Sequence, residues 1–403
     1  MPLRRPCLEE YNRRGMNLEA IQTSLEEAGL DGWLFYDHHY RDPIAYRILG
    51  LADDLHISRR WYYFVPAMGE PRKLLHRIES KRLDPLPGRA THYSSWQELE
   101  AGLAHLLSGA DRIAMQYSPR NAIMSVSLVD AGTIEVLREL GKTIVSSADL
   151  VSRFEAVLTP AQEATHAAAQ AKLDSILDEG FREIGRRVRA GGTNEYAMAQ
   201  WLQNAMRQAG LVWEHGPNVS VNANSADSHY EPTAAVHAPI RSGDFLLIDI
   251  WARLDQAESI WYDITWTGVV DREPKPEEQK VFEIVRDARD AAIARVKAAF
   301  AAGRPIAGWE ADDAARGVIR EAGFSDAFTH RTGHNISNVL HGNGAHLDNL
   351  ETHDERLILP HTCFSVEPGI YLKNFGIRSE VNMLTAERSA RVTGRVQEEL
   401  VRV

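Results

Sequence analysis

The stretch DFLLIDIWARLDQAESIWYDITWTGVV, residues 244–270, holds two strand-like apolar runs around the polar segment ARLDQAES, and each run carries an aspartate. Strand side chains alternate between faces, so Asp249 shares a face with Phe245, Leu247 and Trp251. A lone carboxylate there is costly to desolvate. If the two runs pair as a hairpin centred near Gln256, Asp249 stands opposite Asp263 and both carboxylates point to one side of the sheet.

The arrangement recurs near the C-terminus in CFSVEPGIYLKNFGIRSEVNML, residues 363–384. A hairpin turning at Lys373 and Asn374 sets Glu367 opposite Glu380, again among Phe, Ile, Val and Leu. Four carboxylates in two apolar hairpins repel one another unless they share protons or bind cations. Divalent metal is the simplest resolution. A proton-sharing aspartic dyad fits less well, because there are two pairs and one is of glutamates.

Working outward, the segments RAGGTNEYAMAQWLQNAMRQAGL (189–211) and AAGRPIAGWEADDAARGVIREAGF (301–324) each run from a glycine-containing turn through an amphipathic helix to a glycine placed as a C-terminal cap. Each precedes one of the acid-bearing hairpins, which suggests a duplicated helix-plus-sheet unit. Upstream, LTPAQEATHAAAQAKLDSILDEGFREIGRRVRAG reads as a long helix capped by Thr159 with Pro160 in its first turn. Residues 1–155 instead mix strand-like runs such as GWLFY and RRWYYFVPA with helical stretches, which suggests an α/β domain. The expected class is α+β, with domains at 1–155 and 156–403.

Of 403 residues, 44% are hydrophobic and 25% charged, a folded globular composition too long for one ordinary core. A net charge of −11 argues against a general nucleic-acid grip. Cys7 and Cys363 are far apart and lack a zinc or redox spacing, which fits a reducing compartment. No apolar stretch reaches the roughly 20 residues of a spanning helix, so neither a membrane anchor nor a secretory signal is expected.

The stretch THRTGHNISNVLHGNGAHLDN, 329–349, holds His330, His334, His341 and His346. The spacing of the first two matches a helical zinc site, but Gly333 and the following NISN argue against a helix. In an extended chain, positions 330 and 334 share a face, and position 341 joins them only across a turn or bulge. One of these imidazoles could complete a carboxylate-rich metal site while others face a substrate.

These motifs resemble the pita-bread metallopeptidases: methionine aminopeptidase, Xaa-Pro aminopeptidase, prolidase and their metal-free relative creatinase. The resemblance covers about 155–400 through LLIDI, WYDITWTG, TGHNIS, FSVEPGIY and GIRSEV. It extends more loosely to FYDHHYRDPIAYRILGL, which is similar to the creatinase-type N-terminal domain. It implies metal ligands at Asp249, Asp263, His334, Glu367 and Glu380, and two divalent ions, with manganese favoured and cobalt, zinc or iron as alternatives. Such ions share a water and lower its pKa.

The resemblance further implies that Glu367 moves the proton and that His229 and His341 donate to the carbonyl. His330 becomes an additional substrate-side histidine, Arg378 a contact to a substrate carboxylate or to Glu380, and His346 a loop residue. The N-terminal domain disfavours methionine aminopeptidase. The expected activity is that of a bacterial-type Xaa-Pro dipeptidase, with Xaa-Pro aminopeptidase next, acting on small peptides as a cytoplasmic homodimer without nucleic acid or membrane partners. Ile260 and Trp266 stand where the family commonly has Tyr and Arg. They raise two alternatives on the same fold: a hydrolase or lyase for a non-peptide solute, and a non-enzymatic binding protein.

Overall fold

The computed structural model describes residues 16–52 and 56–403, which form two compact units, Met1–Glu155 and Ala156–Val403. Cys7 lies outside the described residues, and Cys363 is a buried free thiol. Among the described residues no helix is long and apolar enough to cross a membrane.

The first unit is a six-stranded mixed sheet in the order Arg89–Tyr93, Arg72–His76, Trp61–Pro66, Gly32–Asp37, Arg112–Met115, Thr143–Ser146. Gly32–Asp37 is buried along its whole length because helices cover both faces. Alternation sends Trp33 and Phe35 into one apolar cluster and Leu34 and Tyr36 into the other.

In the second unit the long helix Pro160–Arg189 is capped by Thr159, whose hydroxyl accepts the Gln162 backbone N–H while the Gln162 side chain returns a bond to the Thr159 N–H. It is followed by the helix Glu195–Gln208 and the antiparallel strands Phe245–Leu254 and Tyr262–Val269. The pattern then repeats: long helix Pro276–Ala302, short helix Gly308–Glu321, and the antiparallel strands Cys363–Val366 and Val381–Ala386. Each repeat has its own apolar cluster between helices and sheet. The expected duplication is present.

Alternation decides where the acids go. Ile248, Ile250, Ala252, Tyr262, Ile264 and Trp266 pack with the helices of the first repeat, so Asp249, Trp251, Asp263 and Thr265 face the opposite way. The register differs from the sequence expectation: Asp249 pairs with Thr265, and Asp263 with Trp251. The connection accounts for the difference, because the Ser259 hydroxyl donates to the Leu254 carbonyl at 2.6 Å and Glu258 takes a left-handed conformation (φ 59°), which moves the turn one residue along. A two-residue slip along the partner strand preserves side-chain parity, so both aspartates still share a face.

The other hairpin keeps the expected register. Its flanking pairs Val366 with Val381 and Gly369 with Arg378 set Glu367 across from Glu380. The two repeats are stitched by a reciprocal amide clasp: the Asp263 N–H donates to Asn382 Oδ1 at 3.1 Å, and Asn382 Nδ2 donates to the Asp263 carbonyl at 2.9 Å.

One buried acid of the first unit offers a test of its own. Asp42 caps the Pro43–Leu49 helix by accepting the Ala45 N–H at 2.9 Å, and its other oxygen is buried with no partner. Burial pushes this carboxyl up to about 7. The folded chain therefore holds a proton that the unfolded chain has released, so this contribution is complete below about pH 4 and is lost as pH rises toward 7. Asp42→Asn preserves the cap without the charge. Its stability relative to wild type, read from urea midpoints, is expected to grow by about 2–4 kcal/mol between pH 4 and 7; a difference that stays flat with pH would refute this.

Candidate metal centre

The acid-bearing faces of both hairpins meet in a cavity of about 600 Å³, lined by all five sequence-expected ligands, Asp249, Asp263, His334, Glu367 and Glu380, together with His229, His330, His341 and Arg378. Asp263, His334 and Glu380 are buried and offer ligand atoms within 4.8 Å of one another. His334 Nε2 lies 3.6 Å from Asp263 Oδ2 and 3.4 Å from Glu367 Oε1.

The state of His334 follows from its other nitrogen. Nδ1 faces the Asn335 carbonyl at 3.3 Å. A carbonyl only accepts, so Nδ1 carries the hydrogen and Nε2 presents its lone pair to the carboxylates. Burial also pushes this imidazole below its ordinary pKa, toward the neutral form that binds metals.

The carboxylates are under strain of charge. Burial, then the neighbouring Asp249 and Glu367, drives Asp263 well above the usual carboxylate range; burial, then Asp263, Glu367 and Asp249, does the same to Glu380. Asp249 Oδ1, Asp263 Oδ1 and Glu380 Oε1 are buried without a hydrogen-bond partner. Buried acceptors of this kind are expensive. Three orphaned oxygens on one cavity, two of them on residues clustered with the His334 imidazole, form an oxygen-rich donor set suited to divalent cations.

Arg378 partly offsets the charge, and it is fully committed. Its guanidinium pairs with Asp249, donates to Thr265 Oγ1 and the Tyr371 hydroxyl at 3.0 Å each, and lies 3.8 Å from Glu367. The side chain is buried and also borders the cavity, and its link to Glu380 runs through the Thr265 hydroxyl, which donates to Glu380 Oε2 at 2.8 Å.

His330 is similarly engaged. Its Nδ1 donates to the Arg331 carbonyl at 2.7 Å, which leaves Nε2 to accept from the Tyr371 hydroxyl at 2.6 Å. Burial and the Arg378 charge push it down to about 3. A directed chain thus runs from Arg378 through Tyr371 and His330 to the Arg331 carbonyl.

His341 reaches the site across a turn in which Ser337 and Gly342 bond back to Val339 and Asn335, and its ring meets that of His334 edge-on at 4.3 Å. The neighbouring His334, then burial, lowers it to about 2, so it is neutral. His229 lines the same cavity, on a loop where its N–H donates to Asp227. His346 does not line it; its Nδ1 accepts the Asn335 N–H at 3.0 Å and steadies the adjoining strand.

Sequence reasoning passed over several lining residues: Trp251, His215, Tyr230, Glu231, Arg331 and Glu351. Trp251 was available as the residue two beyond Asp249, on the same strand face. Conversely, Ile260 and Trp266 are buried in apolar clusters and do not line the cavity. Trp266 packs on the helix side of its strand with the Arg395 guanidinium 4.8 Å from its ring.

Comparison with known proteins identifies the family. The model of metallopeptidase family M24 matches residues 167–387. The chain is 30% identical over 163 residues to the Xaa-Pro dipeptidase of Pyrococcus furiosus (40% of this chain, 43% of that one). It is 28% identical over 232 residues to the Xaa-Pro dipeptidase of Lactobacillus helveticus (57% of each). The chain spans about half the length of the curated relatives it matches. The crystal structure of dipeptidase PepE from Mycobacterium ulcerans superposes with a TM-score of 0.67 at 23% identity, covering 99% of this chain and all of that one. With its duplicated helix-and-sheet architecture and a family match over more than half its length, the chain belongs to metallopeptidase family M24 and has the pita-bread fold.

Proposed function

We propose that the protein is a metal-dependent peptidase acting on peptides with proline in second position, with dipeptides preferred over longer Xaa-Pro peptides. The observation that carries this reading is the buried cluster of Asp263, Glu380 and His334, whose ligand atoms lie within 4.8 Å of one another and whose two carboxylates each keep an oxygen without a hydrogen-bond partner. Asp249, Asp263, His334, Glu367 and Glu380 would hold two divalent ions, with manganese favoured by the oxygen-rich donors. When bound, such ions supply Lewis acidity and an acidified water.

The remaining chemistry belongs to the side chains. Glu367 faces the cavity with Ser365 Oγ donating to it at 3.0 Å. It takes a proton from the attacking water as the oxygen adds to the scissile carbonyl, then returns that proton to the proline nitrogen as the C–N bond breaks. His341, held neutral, and His229 donate to the carbonyl oxygen as it gains charge. Arg378 positions Asp249 and Glu367.

The peptide reading is supported over a hydrolase or lyase for a non-peptide solute by the burial of Ile260 and Trp266 away from the cavity, so that these two departures do not alter its lining. A pure binding protein has no need of four mutually repelling carboxylates. A cytoplasmic homodimer remains the expected setting.

Chelated protein should be inactive toward Xaa-Pro dipeptides and recover on addition of Mn²⁺, and Asp263→Asn should lose at least roughly 100-fold in kcat/KM. Cleavage of Xaa-Pro-Yaa tripeptides in place of dipeptides would mark an aminopeptidase. Metal binding with neither cleavage would sink the peptidase reading. Independently of activity, divalent metal in large excess over its Kd should raise the melting temperature, since binding confined to the folded state stabilises it by about 3–4 kcal/mol. Glu380→Gln should abolish most of that rise; an undiminished shift would remove Glu380 from the ligand set.

A further inference from the structure

Glu195 is a buried acid that the reaction described above leaves unused. It opens the short helix Glu195–Gln208 and is fully enclosed, with no cationic partner among the described residues. A carboxylate in such a place is costly unless donors meet it. The Val221 N–H donates to Oε1 at 2.8 Å, the Tyr230 hydroxyl and the Ala238 N–H each donate to Oε2 at 2.6 Å, and the Asn224 amide reaches both oxygens.

These donors belong to one segment. Val221 and Ala238 are its two ends, and Asn224 and Tyr230 lie between them. The Ala238 carbonyl also receives the Glu195 N–H at 3.0 Å, so the far end is latched in both directions. Between the latches the chain supplies Ser228, His229, Tyr230 and Glu231 to the cavity wall.

His229 depends on these anchors. The residue is exposed and its ring makes no hydrogen bond among the described residues, so its direction is set by the backbone that carries it. On one side the Ser228 carbonyl accepts from Arg378 at 3.4 Å; on the other the Tyr230 hydroxyl is held by Glu195. His229 thus stands between two fixed neighbours, one tied to each repeat. Burial and then the Glu195 carboxylate push the Tyr230 hydroxyl above its ordinary range, which keeps it a donor.

The second repeat contains the same device. Asp312, fully buried on the short helix Gly308–Glu321, accepts the Thr332 N–H and the Asn349 N–H at 2.9 Å each, and those two residues bracket His334 and His341. A buried acid on each short helix therefore closes a loop that brings histidine to the cavity. Its presence in both halves argues against the chance satisfaction of a single buried carboxylate.

We propose that Glu195 is a positioning residue: by clamping both ends and the middle of the 221–238 segment, it holds His229 within reach of the scissile carbonyl. The proposal rests on the peptidase reading above and deepens it. A misplacement of about 1 Å in such a group can cost on the order of 100-fold in rate.

The test uses the metal-loaded full-length protein with Glu195→Gln, Tyr230→Phe and His229→Ala, singly and with each of the first two combined with the third. Gln keeps the shape of Glu195 but turns one acceptor oxygen into a donor. Amide hydrogen exchange across 222–238 should quicken by at least roughly 10-fold in Glu195→Gln, while the helix Pro160–Arg189 keeps its protection and reports an intact fold. On Ala-Pro, kcat should fall by roughly 10- to 100-fold with a smaller change in KM, and Tyr230→Phe should show a lesser fall of the same kind. In the His229→Ala background neither substitution should lower kcat by more than about 2-fold, since the residue being positioned is gone. Should Glu195→Gln not fold, Tyr230→Phe carries the same comparison. Equal losses with and without His229 would overturn the proposal in favour of a general structural role, and unchanged exchange would refute the clamp. If wild type cleaves no Xaa-Pro peptide, the peptidase reading falls and the catalytic role of Glu195 with it, while exchange still decides the clamp.

Discussion

Everything in the second unit is arranged around mutual repulsion between four carboxylates brought onto one cavity. Two come from each repeat, and desolvation makes each costlier than it would be in water. Arg378 is the only guanidinium among the described residues that pairs with them, and it meets Asp249 and Glu367 while leaving Asp263 and Glu380 without an ionic partner of permanent charge. Burial first, and then the neighbouring carboxylates, pushes both of these acids well above their ordinary range. The apolar clusters behind each hairpin supply the favourable burial that keeps such a face assembled.

Much of this was legible because period-two alternation leaves so few choices. An aspartate amid FLLIDIWA has to face either the helices or something that tolerates charge, and the same logic applied to FSVEPGIY and GIRSEV yields the other acids. The error in pairing Asp249 with Asp263 came from the connection. Nothing in ARLDQAES announces the left-handed Glu258 or the Ser259 hydroxyl bond that moves the turn. It did little harm, since a slip of two residues leaves the faces intact.

What could not be read from the sequence depended on distant partners. Arg378 looked free to meet a substrate, and only the meeting of Asp249, Thr265 and Tyr371 around it shows that its donors are used. Trp266 looked like a change in the pocket, yet it is one residue out of phase with the cavity-facing side of its own strand. Arg331 drew no notice beside its histidine neighbours because an exposed-looking arginine in a loop has no local signature. Alternation already put Trp251 on the Asp249 face, but nothing local announced that its side chain borders the cavity.

The reciprocal clasp between Asn382 and Asp263 carries a consequence for how such a duplicated architecture can change over time. It ties the backbone of one repeat to a side chain of the other at the residue on which ion binding depends. Two once-equivalent halves joined in this way have lost interchangeability. The constraint is one-sided, because the backbone groups at position 263 are offered by any residue except proline, whereas the amide that satisfies both of them has to be supplied at position 382.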